Sequence, residues 1–175
     1  MNNKYPEAYL QYLLHFHATR DYFECHEILE DHWKIHGDKC WLALIQLAVA
    51  VYHERAGNTV GSRRLYQKVL FHIKQDSHIF KELAIDTEEL KQLINSRIKS
   101  IMENGKYEPM NIPLIDKNLI NDCCNLCSSN QLTWCHIEDL DDKALILRHK
   151  LRDRSEVIKE RYTSLLNKQR ERQGM

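Results

Sequence analysis

Apolar positions recur at three- and four-residue steps along most of the chain, which predicts a series of helices. Tyr9, Leu10, Leu13, Leu14 and Phe16 mark one from about Pro6 to Ala18, with Pro6 suited to a first helical turn. Only a few residues around Thr19 and Arg20 separate it from a second, so the two should lie antiparallel. Asp21 with Glu24 makes the Asp variant of a capping box at the start of helix two, which ends near Gly37. Asp38 is placed to cap a third helix. From Trp41 to Tyr52 that helix is apolar almost all round, the pattern of an element at the centre of a bundle, and Gln46 and His53 share its one polar side. It stops at Gly57-Asn58, and Thr59 or Ser62 opens a fourth with Leu65, Val69 and Ile73 inward. A fifth runs from the Asp86/Glu89 capping box through Leu90, Leu93, Ile94, Ile98 and Ile101 to Gly105.

The texture then changes. Residues 106–140 read as a connector: Pro109 and Pro113 punctuate its first half, and Cys123, Cys124, Cys127 and Cys135 cluster in its second. From Asp141 to Arg172 the apolar positions Ala144, Leu147, Leu151, Ile158, Tyr162 and Leu165 predict a largely single amphipathic or coiled-coil helix, interrupted in its stripe by Arg154. The expected organisation is a compact all-α bundle over residues 1–105, the connector, and a charged C-terminal helix over residues 141–175. With 5 glycines and 3 prolines among 175 residues, composition supports the helical class.

Charge narrows the partners. Lys plus Arg and Asp plus Glu are 25 each, which argues against nucleic acid and anionic membranes. The C-terminal helix carries 10 basic and 6 acidic residues, a solvated mixed face whose apolar stripe would pack on the bundle or on a second subunit, giving a homo-oligomer. The opening MNNKYPEAY has no basic-then-apolar secretory pattern, and the apolar run from Cys40 to Tyr52 is too short to span a bilayer. A cytoplasmic protein with reduced thiols is therefore expected.

Chemistry concentrates in RDYFECHEILEDHW, residues 20–33. On a helix Tyr22, His26, Leu29, Glu30 and Trp33 fall on one face with Phe23 and Glu27 at its edge, so an imidazole and a carboxylate share an aromatic, inward face. His26 and Glu30, at i and i+4, are neighbours on the helix surface. With His53 from helix three they make a two-His, one-carboxylate set for a divalent metal such as zinc, iron or manganese. Glu27 is then the general base, or a further ligand; the run H-E-x-x-E resembles the zincin helix with glutamate for its second histidine. The competing reading is a structural network in which His26 donates to Glu30 and Gln46, His53 and Arg55 satisfy the remaining polar atoms, within a non-enzymatic helical interaction module. A second candidate, Cys124-x-x-Cys127 with Cys135 and His136 as zinc ligands, is weakened because its second pair is adjacent; partly buried reduced thiols are the alternative.

The order of these residues, RDYFECHEILEDHW followed by LIQLAVAVYHERAGN, resembles the bacterial and archaeal family called domain of unknown function 309. That family has an aromatic pair before E-x-H-E-x-x-E-x-x-W, then a Gln in a buried helix, a His with an Arg two residues on, and a Gly-rich helix end. The resemblance maps onto Glu24, His26, Glu27, Glu30, Trp33, Gln46, His53, Arg55 and Gly57. It is specific over residues 5 to 75 and looser to about 103. It implies an all-α bundle and a predicted metal-dependent hydrolase of no established substrate; beside the proposed ligands, Glu24, Gln46 and Arg55 are expected as a supporting polar network.

Overall fold

The computed structural model describes residues 4–148 and 155–172. Helix α1, Glu7–Leu14, runs into one π-helical turn, His15–Thr19. Arg20 breaks the path with a left-handed backbone (φ 56°), and α2, Tyr22–His36, starts under the Asp21 cap, whose carboxylate accepts from Glu24 N at 3.0 Å. Gly37 ends α2 at φ 75°, where a side chain would be strained, and its N–H closes on Trp33 O. Helices α3 (Lys39–Arg55) and α4 (Thr59–Gln75) follow, then α5 (Ser77–Glu82) and α6 (Thr87–Met102), with Asp86 capping α6 through Glu88 N and Glu89 N. The remaining elements are α7 (Lys117–Ser129), α8 (Lys143–Ile146) and α9 (Ser155–Arg172).

Helix α3 is the centre, as its all-round apolar sequence requires. Ala43, Leu44, Leu47, Ala48, Ala50 and Val51 are fully buried between α2 and α4, while α1 packs on α2 and α6 on α4. The inward stripe of α4 is Ser62, Tyr66, Val69 and Ile73, with Leu65 half-buried beside it. The molecule is all-α: apart from an isolated Ile85–Leu114 bridge, the described residues form helices and their connections. No described helix is long and apolar enough to cross a membrane.

Two expectations change. Within the expected connector, Lys117–Ser129 forms α7, capped by Asp116, which accepts from Asn118 N and Leu119 N and also binds Tyr5 OH at 2.7 Å. Its buried stripe is Leu119, Cys123 and Cys127, so the cysteines act as small apolar residues on an amphipathic helix that packs on α1. All six cysteines are free. The C-terminal segment is also not one continuous helix, because Leu147 ends α8 with φ −103° and ψ 12°. Leu151 and Arg154 of the expected stripe lie outside the described residues. In α9, Tyr162 and Leu165 remain 63% and 54% exposed, so this helix adds little to the core. Truncation after residue 154 should therefore leave the unfolding free energy from urea titration within about 1 kcal/mol of the full chain; a broadened or lost cooperative transition would contradict it.

Candidate metal centre

Helix α2 buries Tyr22, Phe23, Cys25 and Leu29, so its inward face is centred on Cys25 rather than on the histidine. The expected placement of His26 and Glu30 on that inward face is thus corrected by a rotation of the helix. Cys25 occupies the tight contact, its thiol reaching Tyr12 O at 3.5 Å, and the larger polar side chains stand half-exposed beside it. His26 Nε2 is 3.0 Å from Glu30 Oε2 and His26 Nδ1 is 3.3 Å from Glu27 Oε1. Ligand atoms of His26, Glu27 and Glu30 all lie within 4.8 Å of one another, the one such set of three among the described His, Cys, Asp and Glu residues. Lys34 Nζ reaches Glu30 Oε1 at 2.9 Å from the next turn.

His53 stands outside this set. It is on the half-exposed stripe of α3 with Gln46, and its Nδ1 is 3.3 Å from Asn58 Nδ2. Gln46 Oε1 is buried without a hydrogen-bond partner among the described residues. Arg55 does not serve the His26 cluster. Its guanidinium, almost wholly buried, donates to Arg20 O and to Glu138 Oε2, both at 2.8 Å, and stacks on the Tyr22 ring. Glu138 also accepts from Tyr107 OH, which is 3.2 Å from Tyr22 OH. Burial pushes the Tyr22 hydroxyl up to about 12 and raises that of Tyr107, so both stay protonated donors.

Beside the cluster is a cleft. Phe23, Glu24 and Glu27 of α2 form one wall, and Asp142, Ala144, Leu145 and Arg148 form the other. Arg148 bridges the walls, hydrogen-bonded to Asp21 and 3.8 Å from Glu24. His15, half-buried on the π-helical turn, has its pKa lowered by burial.

The cysteine region does not assemble as expected. Cys124, Cys127, Cys135 and His136 form no ligand set at metal-binding distance. Cys135 Sγ instead lies 3.7 Å from Nδ1 of His17, a buried residue stacked on Trp134. His136 uses its carbonyl, which accepts from Arg20 Nε at 3.0 Å.

Sequence reasoning missed several of these residues. Glu54 is buried at the end of α3, accepting from Tyr66 OH at 2.7 Å and from Arg97 Nε at 3.0 Å. A carboxylate in the last turn of an otherwise apolar helix was the available signal for it. Glu138, Tyr107 and Arg148 gave none, since each acts through partners far away in the chain.

The family model described as Domain of unknown function (DUF309) matches residues 9–65. A Bacillus subtilis (strain 168) protein named Uncharacterized protein YpuF is 38% identical over 172 residues, covering 96% of this chain and 99% of that protein. No solved structure matches significantly.

Proposed function

This chain belongs to the domain of unknown function 309 family, and on that premise we propose that it is a metal-dependent hydrolase whose divalent ion is held by His26, Glu27 and Glu30. The observation that carries this is the convergence of one imidazole and two carboxylates within 4.8 Å, half-exposed at the edge of a cleft. One nitrogen and carboxylate oxygens suit zinc, iron or manganese, and three protein donors leave positions open. When bound, such an ion supplies Lewis-acid polarisation of a substrate oxygen. Glu30 anchors the donor set from the next turn, itself oriented by Lys34. Glu27 also lines the cleft, so in this reading it gives one carboxylate oxygen to the ion and the other takes a proton from an attacking water.

A second reading keeps the cluster structural. The row His26–Glu30–Lys34 balances its own charges through contacts of 3.0 and 2.9 Å, as a helix-surface ion-pair ladder does without any ion. The two separate by metal analysis of untagged protein grown with zinc, iron and manganese. The hydrolase reading expects stoichiometric metal, lost in His26→Ala and Glu30→Gln but kept in His53→Gln. Glu27→Gln should reduce hydrolysis of generic ester, phosphate and amide substrates by about 10²–10⁴-fold, more than it reduces metal content. A parent protein without metal would sink the hydrolase reading.

A further inference from the structure

Resting on the metal-dependent reading, we propose that the cleft beside Glu27 is built for a phosphate monoester, with Arg148 binding the phosphoryl group and Phe23, Ala144 and Leu145 receiving an apolar ester substituent. Arg148 is the cation among the described lining residues. A guanidinium offers five N–H donors. Asp21 takes Nη1, and Glu24 at 3.8 Å from Nη2 is beyond hydrogen-bond range, so donors remain on a side chain that is 48% exposed. Its position is nonetheless fixed. Asp21 is buried and pinned as the cap of α2, and the far wall is tied to the core by Arg55 Nη2 at 3.5 Å from Leu145 O.

Charge makes the binding conditional. Among the described lining residues Glu24, Glu27 and Asp142 outnumber Arg148, an excess of negative charge that disfavours an anion and that a divalent ion at the donor set would offset. A phosphoryl group has enough peripheral oxygens to meet a guanidinium and a metal site together. A neutral ester or amide offers Arg148 only an uncharged carbonyl acceptor, without the charge-assisted contact a phosphoryl group gives. The apolar residues on both walls, Phe23 on one and Ala144 and Leu145 on the other, favour a substituent over free phosphate.

The test uses the full chain titrated with Mn²⁺, bound ion being followed by electron paramagnetic resonance, and then calorimetric titration with phenyl phosphate, inorganic phosphate and phenyl acetate. Phenyl phosphate should bind the manganese-loaded protein saturably and more tightly than inorganic phosphate. It should bind metal-free protein and Glu30→Gln at least tenfold more weakly. Arg148→Gln should weaken phenyl phosphate about tenfold or more while manganese binding is unchanged, and Arg148→Lys should recover part of it. Leu145→Ser should weaken phenyl phosphate but not inorganic phosphate. Manganese bound at full stoichiometry with unaltered phenyl phosphate affinity in Arg148→Gln, or tighter binding of phenyl acetate, would overturn this substrate class alone. Failure of the parent to bind manganese, zinc or iron would overturn it together with the metal reading.

Discussion

Replacing Arg97 by methionine should cost about 3–5 kcal/mol of stability, because it strands a buried carboxylate. Glu54 is only 6% exposed, and its Oε1 is gripped by two guanidinium nitrogens of Arg97 while Oε2 accepts from Tyr66 OH. Arg97 in turn donates to Lys106 O at 3.0 Å and faces Glu108 at 3.4 Å, so the pair joins α3, α6 and the chain leaving α6. Removing the cation leaves one hydrogen bond to solvate a charge that has lost its water. At about 2–4 °C per kcal/mol for a chain of this size, the melting temperature should fall by roughly 6–20 °C. The double variant Glu54→Gln/Arg97→Met removes both charges and should recover a substantial part of the loss, since a neutral amide can keep the Tyr66 contact. Urea unfolding of the three proteins measures this directly. A loss below about 1 kcal/mol in Arg97→Met would mean that Glu54 is solvated or neutralised in some other way.

The second large effect is a pH dependence centred on His17. Burial, with a smaller contribution from the charge of Arg20, lowers its pKa from 6.5 to about 3. The geometry explains why it stays neutral: Nε2 accepts the N–H of Ile112 at 3.3 Å, so Nδ1 carries the proton and points it at Cys135 Sγ. A second proton would have to displace the Ile112 N–H inside a stack with Trp134. Below its ordinary pKa the unfolded chain takes up a proton that the folded chain refuses. His17 therefore costs nothing above about pH 6.5, and stability falls with acidification between about 6.5 and 3, by on the order of 5 kcal/mol across the window. Below about 3 both states are protonated and the effect is flat. His17→Gln, whose amide oxygen can still accept from Ile112 N, should remove this part of the pH profile while leaving other acid-sensitive groups in place. Parallel profiles for parent and variant between pH 6 and 4 would exclude the explanation.

How far the sequence reaches is clear from where these two effects arise. Capping and helix termination act within a few residues, so Asp21, Asp86, Gly37 and Gly57 announced themselves, and the structure has each as a cap or helix end. Periodicity identified α3 as the central helix for the same reason, because a segment apolar on every side has to be surrounded. The adjacency of His26 and Glu30 is likewise a property of one helix turn. What periodicity left undetermined was rotation: His26 and Glu30 sit at the rim of α2 because Cys25, a small residue easily passed over, takes the close contact. It also could not distinguish a cysteine acting as a ligand from one filling an apolar stripe, which α7 resolves through its packing on α1.

Everything that depends on closure over long stretches of chain was decided by tertiary structure. Glu54 meets Arg97 across 43 residues, Arg55 meets Glu138 across 83, His17 meets Cys135 across 118, and Arg148 reaches Asp21 across 127 to close the cleft. A lone charge carries no record of its distant partner. It is held inside only once the fold has brought that partner within hydrogen-bonding distance. What was legible in the sequence was the set of helices up to Gly105 apart from the short α5, their order, and the adjacency of His26, Glu27 and Glu30 on α2, whereas α7 was not. The buried ion pairs, the neutral histidine and the cleft wall facing Glu27 came from the packing of α6, α7 and residues 130–148 against that first set of helices, because desolvation makes those contacts specific only when the core is complete.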